Sequence, residues 1–211
     1  MNRLHVTTIT IAILLAVTVL RAACAPATDL LARMSAVNPS LHAFTATMHA
    51  HVVMKSFPFL SADLVGTYYY KEPDKNKVVF NSGVPLVAQQ FDKLYAHIES
   101  PSQWRELYTI TTVADDGAST RFQLVPRKQG NVASIDATAD DRSATVTAMR
   151  WNYSNGGYAA LTNHYGRVDG NLLVESQSGH VEEPGYSADI ASTIGEYKIN
   201  PSLPDSIFSG Q

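Results

Sequence analysis

The chain has 211 residues, of which 45% are hydrophobic, 17% charged and 9% aromatic, with a formal net charge of −3 and one cysteine. This composition excludes a disordered or collagen-like chain, and the near balance of charge leaves no basic footprint for nucleic acid. A single cysteine excludes an intrachain disulfide framework and a multi-cysteine zinc site, and the length suits one domain with a sizeable core.

Residues 1–27 read as a secretory signal. Arg3 supplies the positive n-region, residues 6–20 form an apolar run diluted only by threonines, and Ala25-Pro26-Ala27 fits the small-x-small cleavage pattern. The run is shorter than the about 20 residues of a membrane-spanning helix. Cys24, preceded by Ala22 and Ala23, is the residue that a lipoprotein signal would acylate, which gives a membrane-anchored alternative. Arg21 stands where such a signal has an aliphatic residue. Cleavage after Ala27 leaves 28–211 as a single exported domain, more acidic for the loss of Arg3 and Arg21 and so more soluble.

Thr28 is expected to cap a short helix, with Asp29 in its first turn. Leu30, Leu31, Met34 and Val37 fall on one stripe, and Asn38-Pro39 ends the helix because the residue before proline avoids the helical region. A helix of about ten residues is not stable alone in water, so it must lie on something apolar. Period two begins at Leu41. Phe44, Ala46, Met48, Ala50, Val52 and Met54 share one face, and Thr45, Thr47, His49 and His51 the other. Phe57-Pro58-Phe59-Leu60 interrupts pairing. A second strand covers 63–71, and Pro73-Asp74-Lys75-Asn76 turns the chain into a third over 77–80.

Residues 84–103 hold a candidate short helix ended by Ser100-Pro101. Strands are then expected over 104–113 and 120–127 around Asp115-Asp116-Gly117, and over 144–153 and 158–168 around Asn155-Gly156-Gly157. Asp169-Gly170 makes a two-residue loop of the I′ kind into 172–177, and a last strand spans 186–199. Consecutive strands with tight turns and almost no helix between them mean antiparallel pairing in a mainly β domain.

Motifs for chemistry are absent. There is no Gly-rich phosphate loop, no G-x-S-x-G elbow and no H-E-x-x-H, so no catalytic residue, cofactor or metal site is assigned. His49 and His51 share a strand face but lack a third ligand. Asp115-Asp116, Asp140-Asp141 and Glu182-Glu183 lie in turn-like contexts, where aspartate bonds its own backbone. Asp136 to Asp141 lacks the glycine and spaced oxygens of a calcium loop.

Apolar surface is the positive signal. Phe44, Met48, Met54, Phe57, Phe59 and Leu60 gather around the first strand and its exit; Tyr68 and Tyr70 share one face, as do Met149, Trp151 and Tyr153. Methionine and aromatic side chains re-pack around guests of different shape. A sheet that curves around covering helices without filling its hollow leaves a hydrophobic cleft.

Three stretches resemble the LolA-like outer-membrane lipoprotein carriers and lipoprotein-sorting proteins. The first is Asp29-Leu-Leu-Ala-Arg-Met34 followed by Phe44-Thr-Ala-Thr-Met-His49. The second is Gly66-Thr-Tyr-Tyr-Tyr-Lys-Glu-Pro73 followed by Lys77-Val-Val-Phe80. The third is Gly195-Glu-Tyr-Lys-Ile-Asn200 with Leu203-Pro-Asp-Ser-Ile-Phe208.

The resemblance implies an unclosed (half) β-barrel of antiparallel strands, lidded by short helices, whose cavity holds the acyl chains of lipoproteins crossing the periplasm. On that reading Leu30, Leu31 and Met34 belong to the lid helix. The acyl-binding residues are Phe44, Met48, Val52, Met54, Phe57, Phe59, Leu60, Leu64, Tyr68, Tyr70, Met149, Trp151 and Tyr153. The partners are lipoprotein or lipid acyl chains, an inner-membrane donor and an outer-membrane acceptor, and the protein is a monomer without catalytic activity. The family's arginine before the proline of Lys-x-Pro is Glu72 here. A carboxylate has no guanidinium donors, so that lid latch is not carried over. Two alternatives are a periplasmic lipid-sensing adaptor that docks a signalling partner and an enzyme acting on a hydrophobic substrate.

Overall fold

The alternation that starts near Leu41 builds strand β1, Ala43–Met54, whose burial follows the sequence pattern. Phe44, Ala46, Met48, Ala50, Val52 and Met54 are buried, while His49 and His51 face solvent. The computed structural model describes residues 27–57, 60–82 and 99–209. The expected signal segment with Cys24, the residues Pro58 and Phe59, and the candidate helix over 84–98 lie outside the described residues.

Nine further strands follow: β2 Ser61–Lys71, β3 Lys75–Phe80, β4 Tyr108–Asp115, β5 Ser119–Pro126, β6 Val132–Asp140, β7 Thr145–Tyr153, β8 Tyr158–Val168, β9 Asn171–Glu183 and β10 Tyr186–Ile199. All pair antiparallel in one sheet of order β3-β2-β1-β10-β9-β8-β7-β6-β5-β4, which is not closed into a barrel. The early strand β1 meets the last strand β10 in the sheet, so the two ends of the domain are stitched together. Helix α1, Ala27–Ser35, and a single helical turn α2, Trp104–Leu107, lie on the inner face, and no described helix is long and apolar enough to cross a membrane.

The turn signals act as expected. Asp169 and Gly170 both have positive φ, 48° and 81°, as a type I′ loop requires, and Gly117 and Gly156 take positive φ in their hairpins. Asp116 Oδ1 accepts from the backbone N–H groups of Ala118 and Ser119, which fixes the β4–β5 turn. Some boundaries differ. Helix α1 begins at Ala27 rather than after Thr28, and residues 104–107 are helical rather than strand. Strand β9 runs on to Glu183, so the Glu182-Glu183 pair ends a strand rather than filling a turn. Strand β6 has no counterpart in the sequence reading.

One bulge re-aims a side chain. Between Thr45↔Lys198 and Thr47↔Gly195, Ala46 faces both Glu196 and Tyr197. Glu196 takes the left-handed conformation (φ 52°) and its carboxylate accepts from Thr47 Oγ1 at 2.6 Å. The extra residue shifts the alternation by one, so Tyr197 and not Lys198 joins Ile194 on the inner face. Outside the sheet, Lys71 and Lys75 both reach Asp205 (2.8 and 2.9 Å), and Lys77 donates to the Ile207 carbonyl at 2.8 Å. These contacts hold the C-terminal 3₁₀ turn, Asp205–Phe208, against the lysine-rich edge strand β3.

Candidate functional site

Helix α1 inserts Leu30, Leu31 and Met34 into the core, all at most 8% exposed. Its last turn is fastened across the sheet, because Arg33 Nη2 donates to the carbonyls of Asp141 and Arg142 in the β6–β7 turn. The loop that follows is fastened as well. Asn38 accepts from the Leu172 N–H at 2.8 Å and donates to the Leu172 carbonyl at 2.9 Å, standing in for a strand partner of β9. Facing this loop, the 3₁₀ turn Pro101–Gln103 contacts α1, and Trp104 is buried with its indole N–H donating to the Glu99 carbonyl.

Between these elements and the sheet lies a cavity of about 270 Å³. Small-molecule pockets start at roughly 300 Å³, and a dry apolar hole of about 150 Å³ already admits benzene. Apolar walls come from Met34, Leu41, Phe44, Trp104, Met149 and Leu161. Phe44 centres an aromatic cluster, stacked on Tyr70 and edge-on to Tyr68 and Tyr197, each at 5.2 Å. The Tyr165 and Tyr197 phenols are held in their neutral form. Burial pushes Tyr165 up to about 12, and burial followed by the nearby Glu175 and Tyr165 raises Tyr197 further. Their hydroxyls donate inward, Tyr165 to the Val146 carbonyl and Tyr197 to the Val174 carbonyl. Such a site offers shape, a largely apolar wall and a few fixed dipoles. Among the described residues no group of three His, Cys, Asp or Glu side chains is placed to hold a metal.

No family model and no curated protein matches the sequence. Solved structures do match. A putative outer-membrane lipoprotein-sorting protein domain from Vibrio parahaemolyticus superposes with a TM-score of 0.65 at 11% identity, covering 86% of this chain and 95% of its own. A LolA superfamily protein from Nitrosomonas europaea gives 0.62 at 9% identity over 87% and 97% of the two chains. The fold is LolA-like. A DUF1329 family protein from Desulfovibrio piger shares it, with a TM-score of 0.60, 12% identity and coverage of 86% and 95%.

Within the LolA-like sheet the expected binding residues part into three groups. Phe44, Tyr68, Tyr70 and Met149 line the cavity, together with Met34 of the helix. Met48, Val52, Met54, Leu64 and Trp151 are at most 5% exposed and fill the core beside it, with Tyr153 packed at its margin. Phe57 and Leu60 stand 62% and 42% exposed at the β1–β2 connection, beyond the far end of β1; Phe59 lies outside the described residues. Glu72 is exposed and pairs with His42 at 2.7 Å. His49 and His51 point to the outer face, where His51 meets Asp63 at 2.7 Å.

The cavity also uses residues that the sequence reading passed over. Arg33 and Asn38 carry the anchoring, Leu161 and Tyr197 complete the wall, and Asn163 and Gln177 bring polar groups to it. A basic residue in a helix's last turn and an asparagine just beyond it were the local signals for the first two.

Proposed function

We propose that this chain is an exported, non-catalytic carrier that holds an acyl chain of a lipoprotein or lipid beneath α1 and moves it through the bacterial periplasm toward the outer membrane. The observation that supports this reading is the predominantly apolar cavity between the inner face of the sheet and helix α1. Similar solved folds carry descriptions as an outer-membrane lipoprotein-sorting domain and a LolA superfamily protein, which supports the same cargo class. Each methylene removed from water is worth about 0.8 kcal/mol, so an acyl chain needs a dry container to cross an aqueous space. On this reading Phe44, Tyr68, Tyr70 and Met149 touch the chain, while Met48, Val52, Met54, Leu64 and Trp151 shape the floor from behind. Helix α1 and the loop after it are the parts that yield to let cargo enter and leave, and an inner-membrane donor and an outer-membrane acceptor hand it over.

The experiment is native mass spectrometry of the protein recovered from its own periplasm, followed by incubation of the delipidated protein with fatty acid and diacylglycerol. The reading predicts bound acyl compounds in the first case or one-to-one uptake in the second. A protein that is empty as isolated and takes up neither compound contradicts it.

A further inference from the structure

The inner face carries one polar row where apolar side chains are the rule. Asn163 on β8 lies opposite Gln177 on β9, and Gln177 lies opposite Ser192 on β10. Beyond Ser192 the row turns apolar again through Ala50 of β1 and Leu64 of β2. Gln177 is 6% exposed and Ser192 4%, and Gln177 and Asn163 both line the cavity.

Hydrogen bonding fixes how these groups point. The Val146 carbonyl accepts from Asn163 Nδ2 at 3.0 Å. With its amide nitrogen committed, Asn163 presents Oδ1, which accepts from Gln177 Nε2 at 2.8 Å. Turning the Gln177 amide over would set two acceptors against each other, so its carbonyl oxygen is held on the free side. Neither Gln177 Oε1 nor Ser192 Oγ has a hydrogen-bond partner among the described residues. Buried polar atoms are nearly always paired, and an oriented, buried acceptor left unpaired on a residue of the cavity wall is satisfied when a guest brings the donor.

We propose that Gln177 Oε1 accepts a hydrogen bond from an N–H or O–H carried by the bound acyl compound, so that the cavity selects donor-bearing acyl ligands over donor-free ones. The inference rests on the acyl-carrier reading and narrows its cargo. The donor comes either from an amide-linked acyl chain or from a hydroxyl on a glyceride or acyl chain.

Matched probes separate these sources. Binding of N-methyldodecanamide is compared with N,N-dimethyldodecanamide, and 1-dodecanol with dodecyl methyl ether, by calorimetry on the mature chain. The N–H amide is expected to bind about tenfold more tightly than its dimethyl partner, or the alcohol than its ether, according to which source the site reads. Gln177→Met is expected to bring the two members of the preferred pair to equal affinity. The side-chain amide signal of Gln177 in the unmutated protein, read by NMR, moves with the donor-bearing member only, so the test survives a variant that does not fold. Equal affinity within both pairs in the unmutated protein overturns the inference while leaving an acyl carrier, as does a preference that Gln177→Met retains. Failure to bind any of the four probes removes the acyl-carrier reading itself.

Discussion

Arg33, in the last turn of α1, donates to the backbone carbonyl of Asp141, 108 residues further along the chain. A second bond from the same nitrogen reaches the Arg142 carbonyl at 3.2 Å. A guanidinium suits this place, because it complements the helix C-terminus and can serve two carbonyls at once. Replacing it with alanine removes both bonds, and the expected cost is about 1–2 kcal/mol. Hydrogen exchange of the α1 amides is expected to rise more than that of β1. Unchanged protection of α1 in Arg33→Ala contradicts the assignment.

Core and cavity wall are separable by mutation. Met48 is fully buried and does not line the cavity, so Met48→Ala is expected to cost about 2–5 kcal/mol in urea unfolding. Tyr70 lines the cavity, is only partly buried and stacks on Phe44. Tyr70→Leu is expected to cost about 1 kcal/mol in stability while weakening an acyl probe by about threefold or more. The reverse ranking, with Met48→Ala benign and Tyr70→Leu severe in unfolding, contradicts the placement of the cavity.

Gly66 makes room for a neighbouring strand. A Cβ there would sit 2.7 Å from the Val79 carbonyl oxygen and 2.9 Å from the Phe80 ring. The carbonyl belongs to the paired strand β3 and cannot retreat without breaking the ladder. Gly66→Ala is therefore expected to destabilise by about 1–3 kcal/mol, measured by the denaturant midpoint. A midpoint equal to that of the unmutated chain contradicts the close approach.

One carboxylate helps to hold the C-terminal turn. Hydrogen bonds from Lys71 and Lys75 lower Asp205 from its usual 3.8 to about 2. A carboxyl lowered on folding supports the folded state above its unfolded value, and that support is lost as the pH falls through about 2. The Asp205 carboxyl carbon is expected to titrate near 2 by NMR, drifting upward in high salt as the ion pairs are screened. Asp205→Asn is expected to speed carboxypeptidase trimming of the terminal residues. A midpoint at the usual value, with trimming unaffected by the substitution, contradicts the contact.

Much of the sheet was legible from alternation. The faces of β1 read directly from Phe44 through Met54, and Asp169-Gly170 announced its own hairpin. Strand β6 escaped because its inner face beyond Ile135 is Ala137 and Ala139, too small to make an apolar rhythm, and its aspartates read as turn chemistry. The α2 turn escaped because Trp104 is apolar in either a helix or a strand.

The site was less legible, for two reasons. Which apolar side chains fill space and which border it depends on packing from strands distant in sequence, so Met48 and Met149 looked alike. The polar row depends on register. Between His164 and Tyr165 the β8–β9 pairing slips by one residue at Glu175, and only that slip sets Asn163 against Gln177 rather than Ser176.

The methionines give the most direct measurement of whether an acyl chain enters beneath α1. Met34 and Met149 border the cavity, whereas Met48 and Met54 are packed in the core away from it. With ¹³C-methyl methionine labelling, titration with dodecanoic acid is predicted to give saturable shifts at Met34 and Met149 and only small ones at Met48 and Met54. Saturable binding that leaves Met34 and Met149 unmoved, or no binding at all, would contradict the account.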